Sequence, residues 1–495
     1  MASTFAGYNI AYTGMYVNQS ALSVVSSNVS NVNTSGYSRK QITSEELALQ
    51  LTEAETKNNS AGTGVDVSEV RRARDVLLDS SYRRQNSDYY YWAAREGNLV
   101  DAQETLSEFT SDDGTSDDGV EQTLTDFFDS WEELSKDPTS QSCRQSVIEN
   151  AESLISTLQD IDNQLKQLQL DSAQSVKDSV DTLNDLASQV VELNQKIQLA
   201  EVSGVEASDL RDQRDLLVDQ MSALTNVTTS EDSDGNYSVR IGGVALVSGL
   251  IVNTLTVNGD GTTESPLSIE WEGLNCTAEI SSGSIYACME DADQSGIDAI
   301  TTFPFDFTGS AVSSISDLRE GLNAIVSTIA NAINSFQTSG YDLDGVAGVA
   351  FFTTTDGSST ITLQNIQVSD AMDDPDKVVT GSTTDSGDYT IAAAIYDWAN
   401  EEAFSFDGET TDLNGFYTSL ISWLSTTGDT ASSSCDTQGA LVQQIDTQRQ
   451  SISSVSVDEE MSKMIMYQNA YGASARVLST LDSLLEGIIQ DLGGS

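Results

Sequence analysis

The 495-residue sequence contains no histidine, only four prolines and only four cysteines. Without histidine there is no Ser-His-Asp or Cys-His nucleophile system, no H-E-x-x-H zinc motif and no imidazole pH switch. The cysteines, Cys143, Cys276, Cys288 and Cys435, form no C-x-x-C pair, which removes thioredoxin-type and zinc-ribbon chemistry. Cys276 and Cys288 are spaced to bridge a hairpin in an oxidising compartment, and four free thiols fit the sequence equally well. No run of about 18 apolar residues is present, so membrane insertion is not expected. Residues 1–38 carry no charged side chain, and the first basic residue is Arg39. A Sec signal peptide needs a basic n-region. The expectation is therefore a cytoplasmic protein or one exported by another route.

Positive charge is also scarce. Lys plus Arg total 22 against 77 Asp plus Glu, a formal net charge of −55. Such a chain repels nucleic acid and anionic membranes, so neither is expected as a partner. Between residues 231 and 435 the only basic residues are Arg240, Arg319 and Lys377.

What the sequence does have is periodicity at both ends. Tyr8, Met15, Leu22 and Val29 repeat by seven, and Ala11, Asn18, Val25 and Val32 follow each by three. Met464, Tyr471, Leu478 and Leu485 do the same near the end, with Tyr467, Ser474, Leu481 and Ile488 in the +3 row. These are a/d seams of coiled-coil type, and Ser456 with Glu459 forms an S-x-x-E capping signature before the second. Each helix alone leaves an apolar stripe in water, so the two are expected to pack on each other or on neighbouring subunits. Within "SNVSNVNTSGYSRKQ" (27–41) the seam is flanked by Asn28, Asn31 and Asn33. Their amides are expected to bond across subunits, with Gly36 as a left-handed stop and Tyr37 and Arg39 opening the next layer.

Between the ends, helix is expected over 69–106 and from about Val120 to Ser135, with a break at Pro138. A long helix follows. Val147, Leu154, Ile161 and Leu168 repeat by seven, and Val176, Leu183, Val190 and Ile197 do so after a one-residue slip. Residues 207–227 read as its return helix. From 228 the pattern turns to short alternating runs with Asp-Gly, Asn-Gly and Gly-Gly turns, the mark of antiparallel hairpins. One helix, about Ser314–Phe336, interrupts them. Helices resume near Ile391, at Leu413–Leu424 and at Gly439–Ser451. The expected fold is mainly α with a β-rich insertion, in three domains. Residues 1–40 and 455–495 form a terminal coiled-coil domain. Residues 41–227 and 411–454 form a long-helix bundle. Residues 228–410 form an outer antiparallel β-containing domain.

Acidic turns at 291–298 and 232–236 resemble calcium loops only in part. The first has Thr302 where a bidentate Glu belongs, and the second lacks the glycine at position six. Arg71, Arg72, Arg74, Arg83 and Arg84 form either a face paired with local carboxylates or a cationic strip meeting a neighbouring acidic subunit. Tyr89, Tyr90, Tyr91 and Trp92 fit helix packing better than ligand binding. No catalytic residue, cofactor site or metal site can be nominated, because carboxylates are too abundant for any pair to be informative.

The Asn-rich helix end running into T-x-G-Y and a basic residue resembles the N-terminal signature of axial proteins of the bacterial flagellum. Five further stretches are similar to the flagellar hook-associated protein 1 (FlgK) family and occur in its order: "VRRARDVLLDSSYRRQNSDYYYW", "LTDFFDSWEELSKDPTSQSCRQSVI", "ASDLRDQRDLLVDQMSALTNV", "LREGLNAIVSTIANAINSFQTSGYDLDG" and "VSVDEEMSKMIMYQNAYGASARVLSTLDSLLEGII". The resemblance implies a non-enzymatic structural subunit. It implies export through the flagellar type III apparatus without a cleaved signal, and an extracellular place in the flagellum. Its implied partners are copies of itself in a ring, the hook protein, the second hook–filament junction protein, and an export chaperone on the C-terminal helix. The implied assembly interface comprises Tyr8, Met15, Leu22, Val25, Asn28, Val29, Asn31, Val32, Gly36, Tyr37, Arg39, Met464, Tyr471, Leu478, Leu481, Leu485 and Ile488. Three alternatives remain at this level: another axial protein, an acidic secreted adhesin or hydrolase acting through residues 231–410, and a coiled-coil component of a virulence secretion system.

Overall fold

The computed structural model describes residues 2–47, 64–106, 119–202, 204, 206–232, 235–262, 264–274, 276–294, 300, 305–309 and 314–493, with side chains between residues 7 and 487. In chain order, helix α1 (Ala2–Ser30) leads into an antiparallel pair, β1 (Lys40–Glu46) and β2 (Val65–Arg72). Helices α2 (Val76–Thr105), α3 (Val120–Lys136), α4 (Gln141–Glu201) and α5 (Ser208–Leu224) follow. Strands β3 (Val227–Glu231), β4 (Tyr237–Ile241), β5 (Val244–Ser248) and β6 (Ile251–Val252) then form one antiparallel sheet in sequential order. Its central hairpin turns at Gly242-Gly243, both at positive φ, as a two-residue primed turn requires.

Beyond it lie the hairpin β7 (Leu255–Asn258) and β8 (Ser268–Trp271), helix α6 (Ser284–Asp291), strand β9 (Asp306–Phe307) and helix α7 (Ser314–Ser339). The remaining elements are β10 (Phe352–Thr354), β11 (Ile366–Val368), α8 (Thr390–Trp398), β12 (Phe404–Phe406), β13 (Glu409–Thr411), α9 (Leu413–Ser453) and α10 (Val457–Gly493). Strand β12 pairs antiparallel with β13 and parallel with β9.

Contacts divide the chain into two compact units. The first joins residues 1–86, 183–253 and 440–495; the second joins 87–182 and 254–439. The three-part division expected from composition is cut differently. The hairpins of 227–252 belong with the first unit, and α3 with the first part of α4 belongs with the second. Composition marks where strands begin, whereas contacts mark which core they share.

In the second unit one apolar core gathers Phe127 and Trp131 of α3, Val147 and Leu154 of α4, and the whole inner face of α7. The α7 residues Leu318, Leu322, Ile325, Ile329 and Ile333 are all buried, each worth about 1.5–3 kcal/mol of transfer free energy. The two offset heptad runs of α4 are carried by a single 61-residue helix. Val147, Val176, Leu183 and Val190 are all fully buried in it, so the slip shifts the seam without ending the helix.

Three local expectations need correction. Residues 69–72 are strand: Val65 and Val67 alternate along β2, a register shift opposite Thr43/Ser44 then changes the phase so that Val70 lies opposite Ile42 of β1, and the helix starts only after Asp75, whose carboxylate accepts from the Leu77 amide at 2.8 Å. Residues 425–438, read as a gap between two helices, are continuous helix within α9. There Thr426, Thr427, Thr430 and Thr437 donate their hydroxyls to carbonyls four residues back, which satisfies side chains that otherwise favour turns. Third, α6 forms a short helix where only strand and loop were expected.

Candidate functional site

The stretch Ser27–Lys40 is the meeting point of the first unit. Helix α1 ends at Ser30, earlier than a stop at Gly36 implies, and two turns carry the chain onward through Thr34→Asn31 and Tyr37→Thr34 backbone bonds. Gly36 does take the left-handed conformation, at φ 76°. A Cβ there would lie 3.4 Å from Leu216 of α5, an ordinary contact, so it is the positive φ that calls for glycine.

Asn28 is wholly buried, and its amide is fully used. Its Nδ2 donates to the Lys40 carbonyl and to Glu460 Oε2, each at 2.9 Å. Its Oδ1 accepts from the Tyr37 hydroxyl and the Lys40 amide, also at 2.9 Å. The expectation that this amide bonds across subunits is therefore corrected: all four bonds stay inside the chain, because a buried amide must find partners on folding. Asn31 likewise donates to the Ser27 carbonyl at 3.0 Å. Glu460, at 1% exposure, receives Lys463 on its other oxygen at 2.7 Å. It stands one heptad before Tyr467, a polar residue on the seam of α10.

The residues after Gly36 reach three other helices. Ser38 donates its amide and hydroxyl to Asp212 of α5, at 2.9 and 2.7 Å. The Arg39 amide donates to the Ser453 carbonyl at the end of α9, and its guanidinium meets Glu459 of α10 at 3.3 Å. Lys40 Nζ lies 2.7 Å from Asp209. Ser456 caps α10 weakly, accepting from the Glu459 amide at 3.5 Å.

Asp209, Asp212, Asp215 and Asp219 recur at helical spacing and line one face of α5. Opposite them stand the arginines of β2, of the link after it and of α2. Arg72 reaches Asp215 at 2.8 Å, Glu206 at 2.9 Å and Asp212 at 3.0 Å; Arg74 bridges Asp215 at 2.9 Å and Asp79 at 3.0 Å. Arg83 binds Asp219 at 2.7 Å and Asp215 at 3.4 Å. Arg449 of α9 closes the cluster on Asp219 at 2.6 Å, its guanidinium stacked 3.9 Å over Tyr82. Burial would raise the Asp215 carboxyl, but Arg74, Arg72 and Arg83 outweigh it and hold it at about 2. Burial likewise opposes the charge on Arg72, and Asp215 and Asp212 outweigh that, raising its pKa. On the other face of α5, Arg214 lies 3.7 Å over the Tyr237 ring and 3.2 Å from Glu231.

Neither reading of the arginine cluster holds as stated for Arg72, Arg74 and Arg83: they pair within the chain, but chiefly with α5 carboxylates about 140 residues away and at 5–13% side-chain exposure, rather than as an exposed helix face with local partners or a strip offered to a neighbour. Arg71 is exposed beside Glu69, and Arg84 is exposed. Sequence reasoning missed this network. Its one visible signal was the 3-3-4 spacing of the α5 aspartates.

From this root α1 packs along α10. Gly14 faces Ser474 and Gly7 faces Leu481, where an added Cβ would come within 3.4 and 3.7 Å. Ala11, Ala21 and Val25 are buried. Tyr8, Met15, Leu22 and Val29 on α1 and Met464, Tyr471, Leu478, Leu481 and Leu485 on α10 are half-buried. The side chain of Ile488 lies outside the described residues. Val32 falls in the turns after α1 and is 36% exposed, so it does not extend the seam. The other sides of the two helices leave Tyr12, Tyr16, Ile465, Met466, Val477 and Leu484 more than half exposed.

The remaining candidates carry no site chemistry. Asp291 is an internal ion-pair partner of Arg95 and accepts from Asn98 at 2.7 Å; burial pushes its carboxyl up to about 6 against the pull of Arg95. Residues 295–299 of that turn lie outside the described residues. Asp232 closes its own turn on the Asn236 amide at 2.9 Å. No group of three metal-ligating side chains occurs among the described residues. The suggested Cys276–Cys288 bridge is not formed. Both thiols are free, because Cys288 lies within α6 rather than on a strand facing Cys276. Tyr91 stacks on Tyr286 and donates to Glu290 at 2.7 Å, a packing role as expected.

Three family models match the chain. Residues 107–352 match the flagellar hook-associated protein FlgK helical domain, residues 447–491 the flagellar basal body rod FlgEFG protein C-terminal family, and residues 9–37 the flagella basal body rod protein family. Flagellar hook-associated protein 1 of Bacillus subtilis is 28% identical, with 100% of this chain and 99% of that protein aligned. The Escherichia coli protein of the same name is 25% identical over 97% of this chain and 98% of its own length. The solved flagellar hook junction protein FlgK from Burkholderia pseudomallei shares the fold, with a TM-score of 0.62 at 15% identity, covering 75% of this chain and 100% of that one. Rod-type matches fall on the two helices that pair, and the helical-domain match falls between them. The chain belongs to the flagellar hook-associated protein FlgK family.

Proposed function

We propose that this chain is a structural subunit of the bacterial flagellum that joins hook to filament and on which the filament is built. The observation that carries the reading is the end-to-end alignment with hook-associated protein 1 from Bacillus subtilis. The terminal helices give it a physical basis. The α1/α10 pair is anchored at its root by Asn28–Glu460 and the arginine–aspartate cluster, and its outer sides still expose large apolar side chains. A helix pair that is rigidly held and incompletely covered is suited to assembly with other subunits.

In this reading copies associate in a ring, with the hook protein below and the second junction protein above. The terminal helices line the inner tube, and Tyr8, Met15, Leu22, Met464, Tyr471 and Leu478 gain cover from neighbours. The chain leaves the cell through the flagellar type III apparatus, with a chaperone holding α10 beforehand. Its role is assembly rather than catalysis.

Deletion of the gene tests this. The expected outcome by electron microscopy is hooks without filaments, with filament subunits lost to the medium. Normal filaments would refute the assignment. Removing residues 465–495 retains Glu460 and is expected to leave a folded protein that fails to restore filaments.

A further inference from the structure

Basic side chains are few, and the fold uses most of them within one chain. Arg72, Arg74 and Arg83 are taken by the α5 aspartates, Arg95 by Asp291, Arg319 by Asp162 at 2.6 Å and Arg449 by Asp219. Even Arg144, which has no exposed surface, donates to the Pro138 carbonyl at 2.6 Å. With 77 acidic against 22 basic residues, the outside is left dominated by carboxylates.

The exception is α1. Residues 1–38 carry no charge, and Tyr12 and Tyr16 on α1 are 52% and 54% exposed. This face lets two copies of a −55 chain meet without setting carboxylate against carboxylate at the contact itself. Repulsion then comes from the surfaces around it. Resting on the assembly reading above, we propose that association between copies of this chain through the uncharged outer face of α1 is gated by ionic strength. The carboxylate surface holds copies apart until it is screened.

The two populations of charge answer salt differently. Pairs such as Arg319–Asp162, at 1% and 4% side-chain exposure, are shielded by the fold. Surface carboxylates interact over a Debye length of about 10 Å at 0.1 M salt and about 3 Å at 1 M. The contact face contributes no attractive ion pair for salt to weaken from residues 1–38. Added salt therefore acts in one direction, toward association, and leaves the internal clusters intact. Screening depends on ionic strength, so the gate does not distinguish calcium from magnesium.

Sedimentation velocity on the full chain in 0.05, 0.3, 1 and 2 M NaCl tests the gate. The dissociation constant for self-association is expected to fall at least tenfold between 0.05 and 1 M. Calcium and magnesium chloride at equal concentration are expected to act alike. Tyr16→Asp, or Tyr12→Asp if the first does not fold, is expected to abolish association at every salt with unchanged far-UV circular dichroism. A chain that stays monomeric throughout, associates best at 0.05 M, or responds to calcium alone overturns the proposal. So does a folded Asp variant that associates like the parent. If the gene deletion still yields bare hooks, these results remove the gate and leave the junction role standing. Normal filaments in the deletion remove the junction role itself.

Discussion

Replacing Asp215 by alanine tests whether the arginine–aspartate cluster holds the root of the terminal helices. Asp215 touches Arg72 at 2.8 Å, Arg74 at 2.9 Å and Arg83 at 3.4 Å; it is buried with Arg83, and Arg72 and Arg74 are mostly shielded. Removing one partner of a buried pair leaves uncompensated charge and costs about 3–5 kcal/mol. Arg72 and Arg83 retain Asp212 and Asp219, so the lower end of that range is expected. At about 1.4 kcal/mol per tenfold, opening of the Ser27–Lys40 stretch, the elbow between α1 and β1, should become roughly a hundredfold more frequent. Hydrogen exchange with mass spectrometry reads this directly in peptides covering residues 37–42, β2 and α5. All five tryptophans, Trp92, Trp131, Trp271, Trp398 and Trp423, lie in the second unit, so their emission serves as an internal control. Protection in those peptides within threefold of the parent would refute the view that the cluster holds the elbow closed.

Asp215 also sets an acid limit. Its carboxyl sits at about 2 in the folded chain against an ordinary 3.8, so the folded state favours its ionised form. That contribution, roughly 2 kcal/mol, is full above pH 4 and is lost as pH falls from 4 to 2; equilibrium unfolding followed by exchange of α5 should show it, and Asp215→Asn should remove it. Gly36→Ala is expected to cost about 1–2 kcal/mol through its positive φ, measured as lost exchange protection around Leu216. Gly309→Ala would drive a Cβ into the Trp423 ring; overpacking of about 1–3 kcal/mol should appear as a lowered melting temperature followed by tryptophan emission. All four thiols should titrate in the unfolded chain without reductant. In the folded chain Cys276 should react first, since burial pushes Cys288 and Cys435 up to about 11. Fewer than four would mean a bridge exists.

Much of the fold was legible along the chain. The heptad rows of α1, α4 and α10, the inner face of α7 and the Gly-Gly hairpin are written in spacings of three, four and two residues, and nearest-neighbour physics suffices to read them. The failures have the same cause in reverse. Thr and Ser between 425 and 438 signal a turn locally, yet the hydroxyls of Thr426, Thr427, Thr430 and Thr437 bond back to carbonyls of the helix. Val65 to Arg72 became a strand because β1 was there to pair with it.

The sequence by itself determined the periodic elements, the uncharged first 38 residues, the acid excess and the absence of histidine chemistry. Only the tertiary structure decided what each charge and amide does. Arg72 finds Asp212 and Asp215 about 140 residues away, and Asn28 finds Glu460 more than 430 residues away. Among 77 carboxylates no spacing names the partner. Folding selects it, because a buried guanidinium or amide must meet its counterpart in space, and distance along the chain carries no record of that meeting.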